Sequence, residues 1–339
     1  MTLRRNWKVR ETKVSDIGEE KVIEIIFSII DKETKKITLP YGDDAIAIKL
    51  PGGKNLVINV DMLVGKTDIP PGMSNVQIGK KVVTMCVSDL AAKGAKPIGF
   101  LTSIGLKRDM SVKDLKEIYE GINIAARKYG MKVLGGDTNE ADDIIIDGIA
   151  LGIAKKVIPR SGAKIGDIIA TTGLFGNTAA GLKILLDSLS VEKRLRRRIL
   201  KDVYEPRAYV KEGYILAKRG LVNASIDSSD GLAISLHEIA KMSNVGIEID
   251  NLPITEEAKI FAEKNKIDPF DLVFYGGEEY TLILTISKEN WGEALNEVRK
   301  VGGTLIKIGR VTNESGKMIY KNDKEERIIE KKGWQHFIT

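Results

Sequence analysis

Seven aspartates, six of them beside glycine, serine or another acid, stand in short runs that could do chemistry together. They are Asp43 and Asp44 in Gly42-Asp43-Asp44-Ala45, Asp61 in Asn59-Val60-Asp61-Met62 and Asp89 in Val87-Ser88-Asp89-Leu90. The others are Asp137 in Gly135-Gly136-Asp137-Thr138, and Asp227 and Asp230 in Asp227-Ser228-Ser229-Asp230-Gly231. Their surroundings place them at strand ends. Any one of them has a plain explanation, because aspartate caps helices and makes turns. Asp61 and Asp89 resist it, since they follow the apolar stretches Leu56–Val60 and Val82–Val87, where an unpaired carboxylate is costly. Carboxylates that converge in one cleft repel each other unless cations lie between them. Magnesium serves that purpose and in turn recruits phosphate oxygens.

The remaining chemistry narrows by exclusion. One cysteine, Cys86, rules out intrachain disulfides and multi-cysteine zinc sites, and two histidines, His237 and His336, rule out histidine-rich metal sites. Cys86 lies on an apolar helical face and His237 on a helix, so both are expected to be structural. Gly135-Gly136 places bare backbone next to Asp137. The run Thr172–Gly181 follows a strand and opens a helix, so it is either an anion site at free N–H groups or a plain strand–turn–helix. Arg160 is either a phosphate clamp or a surface arginine. No P-loop is present: Val60 stands where a glycine is needed before Gly65-Lys66-Thr67, and Leu182 where the lysine is needed after Gly176–Gly181. No G-x-G-x-x-G opens a helix after a strand. A nucleotide enzyme built this way must depend on carboxylates and magnesium.

The elements that position these residues alternate between strand and helix. A length of 339 residues predicts about two domains. Strands are expected at Leu56–Leu63, Met131–Leu134, Ile144–Lys155, Asp167–Thr172, Ala224–Asp227, Glu279–Ile286 and Thr304–Val311. Helices are expected at Val76–Lys93, Ser111–Tyr129, from about Thr178, and at Glu192–Asp202, Leu232–Ser243 and Ser287–Val301. The fold class is α+β, with an N-terminal unit over 1–155 and a C-terminal α/β unit over 156–339. The charge balance is 53 − 47 = +6, a mild surplus that fits an anionic substrate and argues only weakly for nucleic acid. The basic stretch Arg194-Leu195-Arg196-Arg197-Arg198 has no interleaved aromatic residue on which a base could stack, and reads as a solvated face. Residues 1–10 are basic but lead into no apolar core. Val22–Ile30 and Ile144–Ala154 are short and contain Glu24 and Asp147, so no membrane span and a cytoplasmic location are expected.

Taken in order, these runs carry a resemblance. Gly42-Asp-Asp-Ala, Asp61-Met-Leu-Val, Val87-Ser-Asp-Leu-Ala-Ala-Lys-Gly-Ala-Lys-Pro97 and Leu134-Gly-Gly-Asp-Thr138 resemble the ATP-binding superfamily of aminoimidazole ribonucleotide synthetase. Arg160-Ser-Gly-Ala-Lys-Ile-Gly-Asp167, Thr172–Leu182, Asp227-Ser-Ser-Asp-Gly-Leu232, Gly276-Gly-Glu-Glu-Tyr-Thr-Leu282 and Gly333-Trp-Gln-His-Phe337 are similar to its thiamine-monophosphate kinases. The resemblance spans Gly42 to Phe337. It implies an N-terminal domain whose strands form a barrel across a homodimer, and a C-terminal domain over the cleft. It implies ATP as co-substrate, thiamine monophosphate as acceptor and direct in-line transfer, the last step of thiamine diphosphate synthesis. Asp44, Asp61, Asp89, Asp137, Asp227 and Asp230 would hold Mg2+. Tyr119, Gly136, Asp137, Arg160 and Ser229 would contact the nucleotide. Glu278 and Trp334 would touch the acceptor, with Asp68 in the place of a substrate-binding histidine.

The chain also departs from that pattern. After Asp61 the family commonly has Val-Glu-Gly-Val-His-Phe, where this chain has Val64-Gly-Lys-Thr-Asp-Ile69. Val60 replaces a hydroxyl residue, Asn177 and Thr178 replace Asp-Ser, and Glu279 and Thr281 alter Gly-Gly-Glu-Asp-Tyr-Glu-Leu. Among relatives with other reactions, selenophosphate synthetase would need an N-terminal Cys or selenocysteine and the hydrogenase-maturation dehydratase a C-terminal Cys, and Cys86 fits neither. Aminoimidazole ribonucleotide synthetase itself stays open as an alternative, but the Trp-Gln-His-Phe tail favours the kinases. A non-catalytic nucleotide-sensing or RNA-binding protein would rest on the basic helix alone.

Overall fold

The computed structural model describes residues 12–32 and 35–337, so the basic run at residues 1–10 lies outside the described residues. The first unit runs α1 (Gly18–Ile29), β1 (Ile46–Lys49), β2 (Asn55–Val64), α2 (Gly65–Asp68), α3 (Asn75–Ala92), β3 (Lys96–Leu106), α4 (Val112–Lys128), β4 (Val133–Glu140) and β5 (Ile145–Ala154). Its strands form one sheet in the order β1-β2-β5-β3-β4, antiparallel except for the β3–β4 pair. The second unit runs β6 (Ile168–Thr171), α5 (Asn177–Leu186), α6 (Lys193–Tyr204), α7 (Val210–Arg219), β7 (Ala224–Asp227), α8 (Leu232–Ser243), β8 (Gly246–Ile249), α9 (Glu256–Asn265), α10 (Pro269–Phe274), β9 (Leu282–Ile286), α11 (Lys288–Lys300), β10 (Ile306–Thr312), β11 (Met318–Lys321) and β12 (Glu326–Ile328). Its sheet has the order β12-β11-β8-β10-β6-β9-β7. No described helix is long and apolar enough to cross a membrane.

Most expected elements form, and the differences have local causes. The short strand expected at Met131–Leu134 extends to Glu140, because β4 pairs along β3 as far as Leu106. The strand expected from Glu279 starts only at Leu282, because Glu278 and Tyr280 take left-handed backbone (φ 64° and 51°) that breaks the pleat. Val22–Ile30 is most of an amphipathic helix, α1, rather than merely an apolar run. α6 begins at Lys193, buries Ile199, Leu200 and Val203 against Phe261 and Ala262, and keeps its arginines outside.

α3 is the central helix. Its start is fixed by a reciprocal capping box: the Gln77 N–H donates to Ser74 Oγ at 3.4 Å, and the Ser74 N–H donates to Gln77 Oε1 at 3.0 Å. α3 covers one face of the first sheet, where Val57, Leu63, Phe100, Ile146 and Ala150 are buried with Val82, Val83, Cys86 and Leu90. α4 lies backbone to backbone on α3. A Cβ at Gly79 would stand 2.0 Å from the Ile118 carbonyl oxygen, and one at Gly121 the same distance from that of Val76. The other face of this sheet is open and apolar: Val60 is 63% and Met62 55% exposed, and Ile98 and Leu134 are exposed nearby.

The glycine contact makes a checkable prediction. Gly79→Val forces α3 and α4 apart and costs about 2 kcal/mol or more, read as a lowered midpoint of thermal unfolding. Gly292→Ala on α11, where a Cβ meets open space, instead stabilises by up to about 1 kcal/mol. Equal behaviour of the two variants would contradict the close packing.

Candidate active site

Two side chains of α3 and that of Lys93, which caps its C-terminus, reach into the second unit. Lys81 pairs with Glu278, Ser88 Oγ donates to Asp227 Oδ2 at 2.6 Å, and Lys93 Nζ donates to the Ser225 carbonyl at 2.8 Å. The carboxylates gather along this seam. Asp44 from the loop before β1, Asp89 from α3 and Asp227 from the end of β7 each offer an oxygen within 4.8 Å of the others. Asp61 joins them by a side-chain hydrogen bond with Asp89. Only Asp227 of these residues ends a strand. Asp61 lies inside β2, because the β2–β5 register runs unbroken from Asn55 to Val64, Asp89 lies inside α3, and Asp137 lies inside β4.

Two charge environments coexist there. Burial works against the ionisation of Asp44, but Lys93 and Arg160 override it and hold its carboxyl below the usual range. Lys93 is wholly buried and pairs with Asp43 at 2.5 Å and with Asp44 at 2.7 Å. Arg160 donates from Nε to Asp44 Oδ1 at 2.6 Å and from Nη1 to the Gly42 carbonyl at 2.9 Å, while its backbone N–H donates to Asp43 Oδ2 at 2.9 Å. Arg160 thus braces the Asp44 loop while its side chain stays partly open to solvent. Among the described residues no cation pairs directly with Asp89, Asp61 or Asp227, although Arg160 acts weakly on Asp89 and Asp227. Burial first, and then the neighbouring carboxylates, push Asp89 well up and Asp227 up to about 7. Burial raises Asp61 to about 6 against its hydrogen bond to Asp89, and raises Asp230 to about 6, with Glu19 adding repulsion. Buried oxygen donors held partly protonated by desolvation and, secondarily, by mutual repulsion suit a hard divalent cation.

The acceptor-side candidates form a second group. The Glu278 N–H donates to the Ser229 carbonyl at 2.5 Å, and the Trp334 N–H to the Asp230 carbonyl at 3.1 Å. A Cβ on Gly333 would come within 2.2 Å of that Asp230 oxygen, so a glycine lets the tail dock. Trp334 stays 50% exposed and stacks edge-on with His336, whose N–H donates to Glu19 of α1 at 3.1 Å. The Asp68 carboxylate accepts the Val64 N–H at 2.7 Å, which fastens its own turn.

Other candidates stand apart. Asp137 and Gly136 are exposed on β4, three strand positions from β2, so roughly 14 Å separates their strand from Asp61's. Tyr119 packs half-buried on α4 against the first unit's core. The start of α5 is not open to an anion: the buried Glu279 carboxylate accepts the Gly176 N–H at 2.7 Å and the Thr178 N–H at 3.3 Å. The plain strand–turn–helix is thus the outcome at Thr172–Gly181. Burial pushes Glu279 up to about 7 in spite of these donors. His237 is structural, bonded to the Ile329 carbonyl at 2.9 Å, and burial pushes the Cys86 thiol well up, as expected of an inert core cysteine.

Sequence reasoning missed Lys81, Lys93, Asn59 and Ser88. Asn59 Nδ2 donates to Asp89 Oδ2 at 2.6 Å. A signal existed for Lys93, which stands in the run of small residues Ala91-Ala92-Lys93-Gly94-Ala95, where an unpaired ammonium is costly, but Lys81 follows another lysine and carries no such signal.

Residues 42–154 match the AIR synthase related protein N-terminal domain, and residues 164–321 match its C-terminal domain. The thiamine-monophosphate kinase of Pyrococcus abyssi is 40% identical over 92% of this chain and 94% of its own, and that of Pyrococcus horikoshii 39% identical over 87% and 90%. A ThiL protein solved in complex with AMPPCP and TMP superposes with a TM-score of 0.84 at 28% identity, covering 96% of this chain and 99% of its own.

The raised carboxyls set a pH dependence for any divalent cation at the seam. Folded Asp61 and Asp227 hold protons that the unfolded chain has released, so without metal their contribution to stability falls as pH rises from about 4 to about 7. A cation must displace those protons. The stabilisation by Mg2+, read as the shift in thermal midpoint, is therefore larger at pH 8 than at pH 6, by about 1.4 kcal/mol per pH unit for each proton displaced. Asp227→Asn shrinks that difference, and a pH-independent shift would remove these carboxylates as ligands.

Proposed function

Because this chain belongs to the thiamine-monophosphate kinase family of AIR synthase related proteins, and is an ATP-dependent thiamine-phosphate kinase, we propose how its seam performs the transfer. The γ-phosphoryl group of ATP passes directly, in line, to the phosphate of thiamine monophosphate, giving ADP and thiamine diphosphate in the last step of thiamine diphosphate synthesis. The observation that carries this reading is the convergence of Asp44, Asp89 and Asp227, with Asp61 bonded to Asp89, in a buried seam stiffened by Lys93 and Arg160. Phosphoryl transfer needs positioning and charge neutralisation rather than a nucleophilic side chain, and this site is made of such groups.

Mg2+ fits the donor set, which is all carboxylate oxygen. Asp44, Asp61, Asp89 and Asp227 would hold it, with Asp230 beside them, while Asp137 on its separate strand would ligate a further Mg2+; when bound, the metal neutralises charge on the phosphate oxygens. The protein's own groups do the rest. Arg160 and Ser229 would orient the nucleotide, with Gly136 and Tyr119 on its far side. Glu278 and the Asp68 turn would orient the acceptor. The exposed indole of Trp334 offers a face to a cationic thiazolium or a flat pyrimidine.

The assembly we propose is a homodimer, with an N-terminal ATP- and metal-binding unit over 1–155 and a C-terminal unit over 156–339. The open face around Val60 and Met62 supports it, because apolar side chains on a sheet of this kind call for cover. Joining two such faces would close the N-terminal sheets into a barrel and cover the exposed β4 edge.

Incubation with ATP, Mg2+ and thiamine monophosphate should yield thiamine diphosphate and ADP in equal amounts, with no turnover of free thiamine or the aminoimidazole precursor. Absence of the diphosphate under excess Mg2+ rejects the reading. Asp137→Asn should lower turnover by roughly a hundredfold or more while the fold persists. Val60→Asp combined with Met62→Lys should convert the dimer to a monomer in sedimentation; an unchanged mass places the interface elsewhere.

A further inference from the structure

Lys81 exposes none of its side chain, although it is an ammonium in the middle of α3. Such a group is tolerated only when it is paired. Its two partners come from different units. It donates to the backbone carbonyl of Asp68 at 2.6 Å, in the turn after β2, and to Oε1 of Glu278 in the loop before β9. Lys81 therefore ties together the two segments that the kinase reading assigns to the acceptor.

The Glu278 end of the link is under tension. Its φ of 64° is left-handed backbone, a costly conformation for glutamate that persists only where surroundings impose it. Two backbone bonds, from the Glu278 N–H to Ser229 and from the Tyr280 N–H to Ser228 at 2.8 Å, strap this loop to the one carrying Asp227 and Asp230. Trp334 hangs on the same loop through Asp230. With Oε1 engaged by Lys81, Oε2 makes no hydrogen bond among the described residues, and a quarter of the side chain remains open to solvent.

We propose that Lys81 is a positioning residue for the acceptor: it fixes Glu278 with one carboxylate oxygen turned inward and the other presented to the thiamine phosphate, and it locks the Asp68 turn opposite. Lys81 itself touches no substrate, and the nucleotide side is held independently by Lys93 and Arg160 on the Asp44 loop. The inference rests on the thiamine-phosphate kinase reading of the site.

The test is a two-substrate kinetic comparison of wild type, Lys81→Met, Lys81→Arg, Glu278→Gln and the Lys81→Met/Glu278→Gln double variant. Lys81→Met should raise the KM for thiamine monophosphate roughly ten- to a hundredfold and change the KM for ATP less than about threefold. Lys81→Arg, which keeps the cation, should recover most of the loss. The double variant should be little worse than the worse single variant, because both act through one link. A general structural role would instead move both KM values together, or make the two substitutions additive, and either result overturns the proposal. If Lys81→Met does not fold, Lys81→Arg and Glu278→Gln decide: an unchanged acceptor KM in Glu278→Gln also overturns it. Failure of the underlying reading is visible separately, as a wild-type enzyme that makes no thiamine diphosphate, and it removes this inference as well.

Discussion

Two buried ammonium groups, on α3 and at its C-cap, govern how this protein holds together. Lys81 and Lys93 are both closed off from solvent, and each is kept only by partners that span the seam: Asp68 and Glu278 for the first, Asp43, Asp44 and Ser225 for the second. Removing one partner of a buried pair costs about 3–5 kcal/mol, because a charge is left in a medium that cannot solvate it. The loops at 42–44, 68, 225 and 276–280 are thereby tied to one helix. That helix is itself pinned to the first sheet by its apolar face and to α4 through glycines. The two units meet through matched charge more than through grease at this point, and the candidate site lies along the same line.

The same seam sorts identical side chains into different states. Asp44 is flanked by Lys93 and Arg160 and stays ionised, whereas Asp61, Asp89 and Asp227 face one another and are pushed up. Desolvation acts on all four, and the presence or absence of a fixed cation decides the sign. The unpaired members store repulsion that an incoming divalent cation relieves. This separates an aspartate whose charge the chain itself balances from those whose charge only a cation would balance, a distinction their sequence contexts do not carry.

Departures from the family pattern also acquire a physical meaning. Glu279 stands where the related enzymes have aspartate, and its longer side chain reaches the first N–H groups of α5, so the helix start is filled from within the chain. Asn177 beside it donates from Nδ2 to Asp202 and accepts at Oδ1 from the Thr255 hydroxyl. Asp68, where the resemblance would expect a histidine, spends its carboxylate on the Val64 N–H and offers its carbonyl to Lys81.

Much of the architecture was legible from residue order. Aliphatic runs at Leu56–Leu63 and Ala224–Asp227, the helical spacing of Ile78, Val82, Cys86 and Leu90, and the scarcity of Cys and His were enough to indicate strands, a central helix and carboxylate chemistry. These are local properties, set by period and composition, and a single chain segment carries them. Which aspartates meet is not local. Asp44, Asp89 and Asp227 are 45 and 138 residues apart in turn, and only the docking of β7 against α3 brings their oxygens together. The same docking decided that Arg160 braces a loop, that Glu279 rather than a phosphate fills the α5 start, and that Lys81 and Lys93 are interior. In each case a charged group found its partner from a distant part of the chain, and burial set how strongly that pairing counts.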